Sequence, residues 1–197
     1  MTRAYCLQCE RPEKSCLCHL VTSVDNDIHI VILQHPLEVK QSKGSVTLLH
    51  QSLKNSQVIV GENFTDNIEV QLLLKHYYQQ CAVLYPSADA VVLSADSRQI
   101  TRPKCLFILD GTWKKAYKMF MSNAWLQQLP HFTLANDIVG KYQIRKTTKK
   151  NALSSLEACC YALSVLEHQR DGANKYQVLL ASFVEFNHFQ LSFNPNS

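Results

Sequence analysis

The sequence predicts an α/β protein with a mainly parallel sheet covered by helices, preceded by a small cysteine knuckle. Two observations carry this. Short, strongly apolar runs alternate with segments of helical periodicity, as expected of parallel strands joined by crossover helices. Ahead of them Cys6, Cys9, Cys16 and Cys18 crowd one short polar stretch. The 197 residues suffice for one sizeable core with a small appendage, read here as a knuckle over 1–24 and an α/β domain over 25–197.

In chain order the knuckle comes first. Its C-x2-C and C-x-C pairs bracket the polar loop ERPEKS. Four thiolates at close range fit a tetrahedral structural zinc site, which leaves no open position for chemistry. The C-x-C half is tighter than the usual spacing, and His19 could only substitute for a ligand. The competing reading is a redox-sensitive, partly ordered tail. Cys81, Cys105, Cys159 and Cys160 lie in apolar context and read as small core residues.

After the knuckle, 28–34 (IHIVILQ) reads as a buried strand and 46–53 as a helical stretch. A short strand over 58–60, a helix over 68–80 and a strand over 82–85 follow, and 90–93 is a strand or a packed loop. Then come a strand over 106–109, a helix over 112–129 and a strand over 132–134. Helices over 153–168 and 175–186 close the chain. In the 112–129 helix, Trp113, Ala116, Tyr117, Phe120, Met121, Ala124 and Trp125 recur at three- and four-residue steps. That stripe places Trp113 in the core rather than against a substrate.

Charge and punctuation narrow the function. The net charge of +4 is mild, but 141–150 holds Lys141, Arg145, Lys146, Lys149 and Lys150 without an acid. Lys114, Lys115 and Lys118 form a second cluster. Each suits a polyanion such as nucleic acid, or is a solvated face. The N-terminus lacks a signal-peptide core and no run approaches a membrane span. The expectation is a cytoplasmic protein without disulfides. Five scattered glycines allow neither G-x-G-x-x-G nor a P-loop, and G-x-S-x-G and H-E-x-x-H are absent.

The chemistry concentrates at 105–116, CLFILDGTWKKA. An acid ending a buried strand is costly unless paired or used. Gly111 permits a tight turn and close backbone approach, and ligands gather at the carboxyl ends of such strands. Asp110 could equally cap the next helix. A second polar cluster, Gln34-His35-Pro36-Leu37-Glu38, also ends a strand. Pro36 favours an extended His35, which is either a proton shuttle or simply hydrogen-bonded.

With these segments in order, the chain resembles the DTW-domain family, the tRNA-uridine aminocarboxypropyltransferases, over nearly its whole length. The matching pieces are the cysteine cluster, Gln34 to Glu38, Leu84-Tyr85-Pro86-Ser87, Leu109-Asp110-Gly111-Thr112-Trp113, Tyr142 to Lys146, and Leu153-Ser154-Ser155-Leu156-Glu157-Ala158. Two departures stand out. Gly44-Ser45 occupies the place where family members often carry Asn-Thr, and Ser155 replaces a usual Thr while keeping the hydroxyl.

The resemblance implies a SPOUT-like fold with a C-terminal trefoil knot whose loops bind S-adenosylmethionine as co-substrate. It implies transfer of the 3-amino-3-carboxypropyl group to N3 of a tRNA uridine, with methylthioadenosine released. Cofactor contacts would come from His35, Pro36 and Glu38, from Leu84, Tyr85, Pro86 and Ser87, and from Leu109, Gly111, Thr112 and Trp113. Tyr142, Arg145, Leu153, Ser154, Ser155, Glu157 and Ala158 would complete them. Asp110 would be the general base, its pKa raised by burial from about 3.9. Arg145 would hold the cofactor carboxylate or an RNA phosphate. Lys114, Lys115, Lys118, Lys141, Lys146, Lys149 and Lys150 would contact tRNA. An RNA methyltransferase on the same cofactor and a non-catalytic zinc-knuckle RNA-binding protein are the other readings.

Overall fold

The computed structural model describes residues 4–94, 100–135, 153–167 and 174–193. Its strands are β1 (His29–Gln34), β2 (Ser56–Val60), β3 (Cys81–Leu84), β4 (Val91–Leu93), β5 (Cys105–Asp110) and β6 (His131–Leu134). Its helices are α1 (Val46–Ser52), α2 (Ile68–Tyr77), α3 (Trp113–Ser122), α4 (Ala124–Gln127), α5 (Ser155–Leu166) and α6 (Gln177–Ser192). The expected strands are present, the 90–93 alternative resolves to an edge strand, and the expected helices are present except that 112–129 is not one helix.

Every strand pairing among the described residues is parallel, in the order β2-β1-β5-β3-β6-β4. Side chains alternate across the pleat, so each strand feeds two cores. Ile30, Ile32, Leu106 and Ile108 join α1, α5 and α6 on one face. Val31, Leu33, Phe107 and Leu109 join α2, α3 and α4 on the other. Burial on both faces is why these strands read as continuous apolar runs.

The chain order makes one junction special. From β1 the chain runs through α1 to β2 on one side of the sheet, whereas from β5 it runs through α3 to β6 on the other. Because α1 and α3 also cover opposite faces, the carboxyl ends of β1 and β5 form a topological switch point. Open α/β sheets bind ligands in the crevice at such a point. The described residues do not trace the expected C-terminal trefoil knot, since 136–152, between β6 and α5, lies outside them.

The knuckle packs into the main core. Cys9, Leu17, Leu20 and Val24 are buried in the same cluster as Leu48, Phe183 and Phe186. No helix among the described residues is long and apolar enough to cross a membrane.

Two expectations about 112–129 are corrected. The single helix is broken between α3 and α4 by Asn123, which is fully buried. Its side chain donates to the Met119 carbonyl (2.6 Å) and the Glu62 carbonyl (2.9 Å) and accepts the Phe64 N–H (2.7 Å). A short polar side chain that bonds nearby backbone competes with the helical ladder, and here it also pins the loop after β2. Trp113 is not core: it is 49% exposed, with Tyr117 and Met121 similarly open. The apolar stripe is broader than the contact with the sheet, which Ala116, Met119 and Phe120 take up.

Candidate active site

The parallel register sets Gln34, the last residue of β1, beside Asp110, the last residue of β5. The Gln34 Nε2 donates to Asp110 Oδ2 at 3.0 Å, and the Ser155 hydroxyl donates to Oδ1 at 2.6 Å. The His35 N–H donates to the Asp110 carbonyl at 3.0 Å, continuing the ladder one residue past the strands. Ser155 is placed by the start of α5. There Ser154 and Glu157 form a capping box, with the Glu157 N–H donating to Ser154 Oγ and the Ser154 N–H to Glu157 Oε2. Such a cap satisfies two otherwise orphaned helix N–H groups and fixes the first turn.

Asp110 is therefore not a helix cap. Thr112 caps α3 by accepting the Lys115 N–H at 3.4 Å. The half-buried Asp110 carboxylate turns across the switch point instead, towards partners on β1 and α5. Gly111 gives the close approach its lack of a side chain suggests: a Cβ there would stand 3.1 Å from the Lys115 Cβ.

His35 is buried, with both ring nitrogens committed. Nδ1 accepts the Leu37 N–H at 3.1 Å, so Nε2 carries the proton donated to Glu62 at 3.0 Å. The side chain is therefore hydrogen-bonded on both ring nitrogens. Glu62 also receives Lys118 Nζ at 2.5 Å, and the lysine, more than His35, holds the half-buried carboxyl below the usual range. The buried Glu38 is paired with Lys115 Nζ at 2.8 Å. Two of the three α3 lysines thus lock that helix to the turn after β1 and the loop after β2, while Lys114 stands exposed.

Beyond β3, Tyr85 stacks on Phe120 with centroids 4.1 Å apart, and burial raises its phenol pKa. His131 Nε2 can only donate to the Leu126 carbonyl, 3.0 Å away, so Nδ1 accepts from the Ser87 hydroxyl at 2.6 Å. Pro86 is exposed; Leu84, Leu153 and Ala158 are half-buried. Tyr142, Arg145, Lys141, Lys146, Lys149 and Lys150 lie outside the described residues. Sequence reasoning missed Glu62 and His131 altogether and gave Gln34 no role. No local motif marks Glu62 or His131, and the cluster that contains Gln34 gave no sign of its bond to Asp110, because the partners come from other elements.

At the knuckle the four sulfur atoms lie within 4.8 Å of one another. Cys6 and Cys18 are 3.6 Å apart, Cys9 and Cys16 3.8 Å. A tetrahedron with Zn–S bonds of about 2.3 Å needs sulfurs about 3.8 Å apart, so the cluster fits zinc. Backbone N–H groups of Cys9 and then Gln8 stabilise the Cys6 thiolate and lower its pKa to about 6. Glu10, at φ 54°, makes the left-handed turn that carries the chain past Cys9. His19 packs edge-on against Phe189 at 5.2 Å rather than joining the sulfurs. Leu17 within this segment is fully buried.

The family model for the DTW domain matches residues 3–191. The chain is 32% identical over 172 residues to "tRNA-uridine aminocarboxypropyltransferase 2" of Macaca fascicularis, covering 84% of this chain and 57% of that protein. The Drosophila melanogaster protein of the same name is 31% identical over 172 residues, 84% of this chain and 67% of its own length. "tRNA-uridine aminocarboxypropyltransferase A" of Arabidopsis thaliana is 28% identical over 141 residues, 59% of this chain and 50% of that protein. The chain thus spans little more than half the length of the macaque relative. No solved structure matches it.

Proposed function

The chain belongs to the DTW-domain family, and from that premise we propose that it is a tRNA-uridine aminocarboxypropyltransferase whose active site is the β1–β5 switch point. The observation that carries the reading is the oriented Asp110 carboxylate, held there by Gln34 and Ser155.

S-adenosylmethionine would supply a sulfonium-activated carbon, the methionine Cγ, and leave as methylthioadenosine. Uracil N3 is a weakly acidic imide and must lose its proton as it attacks. Asp110 takes that proton, general-base catalysis worth about 10²- to 10⁴-fold. The two donors on its oxygens fix its direction, so that little reorganisation is needed at the moment of transfer. Gly111 leaves room for close approach, and Thr112 keeps the α3 terminus capped without using Asp110. The ion pairs from Lys115 and Lys118 hold the walls of the crevice. Phosphate contacts fall to the exposed Lys114 and to Lys141, Arg145, Lys146, Lys149 and Lys150. Zinc, held by Cys6, Cys9, Cys16 and Cys18, has a structural role.

The test is incubation of the protein with unmodified tRNA and S-adenosylmethionine, followed by mass spectrometry of the nucleosides and small products. Aminocarboxypropyluridine with methylthioadenosine is the expected result. Methylated uridine with S-adenosylhomocysteine would replace the reading with that of a methyltransferase. Absence of S-adenosylmethionine binding by calorimetry would leave an RNA-binding protein without catalysis.

A further inference from the structure

Arg11 sits in the loop between the two cysteine pairs, yet its side chain leaves that loop. Its Nη2 donates to the Ser42 carbonyl, and its guanidinium carbon lies 5.6 Å from the centroid of the Phe186 ring in α6. Nη1 is buried with no hydrogen-bond partner among the described residues. Ser42 belongs to the segment that follows Glu38, and turn bonds close that segment on itself. The Glu38 N–H donates to His35 O (2.8 Å), the Gln41 N–H to Glu38 O (3.0 Å) and the Gly44 N–H to Gln41 O (2.9 Å). A Cβ at Gly44 would approach the Gln41 carbonyl to 3.1 Å, so the winding is tight. A shift at Ser42 therefore reaches Glu38 and His35, which flank the candidate site.

We propose that Arg11 is a positioning residue that couples metal occupancy of the cysteine knuckle to the conformation of 36–45. The charge balance gives the reason. Four thiolates around one Zn²⁺ leave two negative charges in excess, which a neighbouring cation offsets, and Cys9 among them is buried. Arg11 is the cation in the loop between Cys9 and Cys16 whose side chain turns inward onto Phe186; the loop's other cation, Lys14, is exposed. Its planar guanidinium can serve two neighbours at once, the knuckle through its charge and Ser42 through Nη2. A second tie, from Gln51 Nε2 to the Gln8 carbonyl at 2.6 Å, joins the knuckle to α1 but not to the 36–45 turn. Loss of the metal frees the loop that carries Arg11, and with it the anchor of Ser42. The coupling does not depend on which group the site transfers.

The experiment is hydrogen exchange on the full chain loaded with Zn²⁺, with zinc affinity measured by competition with a chelator. Removing zinc should raise exchange across 36–45 about tenfold while β1 keeps its protection. Arg11→Ala should reproduce that exchange with zinc still bound. It should also weaken zinc affinity about 10- to 100-fold, the usual cost of losing an outer-shell partner. Arg11→Lys, which keeps the charge and one donor, should lie between. The coupling is overturned if 36–45 exchanges alike with and without zinc, or if the chain takes up no zinc. It is equally overturned if Arg11→Ala leaves 36–45 protected, whatever it does to affinity. Should Arg11→Ala fail to fold, the wild-type comparison with and without zinc decides, with Phe186→Leu as the milder variant.

Discussion

The two ends of the β1–β5 pair each carry titratable residues and use them in opposite ways. At the amino end His29 lies opposite Cys105, which lies opposite Cys81 on β3. His29 Nδ1 is 3.0 Å from the Tyr77 hydroxyl. Burial, and secondarily His76, depresses the His29 pKa, while burial raises that of Tyr77. The neighbouring Cys81 and burial keep Cys105 a thiol. These groups are neutral and satisfy one another. At the carboxyl end the strands finish on Gln34 and Asp110, and a carboxylate is kept with a donor on each oxygen. Topology makes the difference. The chain leaves the carboxyl ends of β1 and β5 in opposite directions, the switch point where open α/β sheets bind ligands, whereas at the amino end the polar groups close on each other.

The sharpest test of this contrast is Asp110→Asn. Asn keeps the shape and one acceptor for Ser155, and Gln34 can turn its amide to accept from the new N–H. Stability should fall by no more than about 1–2 kcal/mol. The rate of uridine modification should fall about 10²- to 10⁴-fold, because the carboxylate that takes the N3 proton is gone. Single-turnover kinetics with saturating S-adenosylmethionine would measure it. A stable Asp110→Asn protein working at the wild-type rate removes the catalytic side of the comparison.

A smaller effect is expected one residue further out. Ser155→Ala deletes the 2.6 Å donor on Oδ1 without touching the Ser154 cap. The rate should drop about tenfold, the worth of one hydrogen bond to a charged group exchanged in part for water. Ser155→Thr keeps the hydroxyl and should restore most of the rate. If Ala and Thr behave alike, the hydroxyl does not orient Asp110.

Most of the framework was legible in the sequence, and the failures share one cause. Buried strands declare themselves by runs such as IHIVILQ, and the acid ending CLFILD marked the crevice. Register did not declare itself: that Gln34 meets Asp110 depends on how β1 lies against β5. That Ser155 reaches Asp110 depends on where α5 docks. The same limit misled the reading of α3. Periodicity identified an apolar face there, but the placement of α3 against the sheet decided that Ala116, and not Trp113, turns inward. The break at Asn123 has a local signal, an amide in an otherwise helical run, but its bonds to Glu62 and Phe64 come from a distant loop. Arg11 likewise gave no hint in sequence of its bond to Ser42.

The amino end should respond in stability and not in rate. Cys105→Ala removes a fully buried sulfur from the core shared by Phe107 and Met119. That should cost about 1–2 kcal/mol, by loss of transfer energy and a small cavity. Urea midpoints report the cost, and turnover per folded molecule should be unchanged. A Cys105→Ala protein of normal stability but impaired turnover would mean that both ends of β5 serve the reaction.

The least effect, and the most specific, is on the pH dependence of stability. The folded-state pKa of His29 is depressed from its ordinary 6.5, chiefly by burial and then by His76. A histidine held neutral in the fold binds fewer protons than it does when unfolded, so its contribution is present above about pH 6.5 and is lost as pH falls below it. His50, depressed by burial and 3.0 Å from Ser56 Oγ, acts in the same direction. Urea midpoints should therefore decline between pH 7.5 and pH 5.5. His29→Phe, which cannot take up a proton, should decline less over the same interval, and the double variant with His50→Phe less again. The Glu62 pKa is lowered, so its contribution persists through this window and fades only as pH falls below the usual carboxylate range. It cannot produce the same slope. An identical decline in wild type and His29→Phe would show that His29 is not held neutral, and the amino end would no longer be the closed, uncharged counterpart of the site.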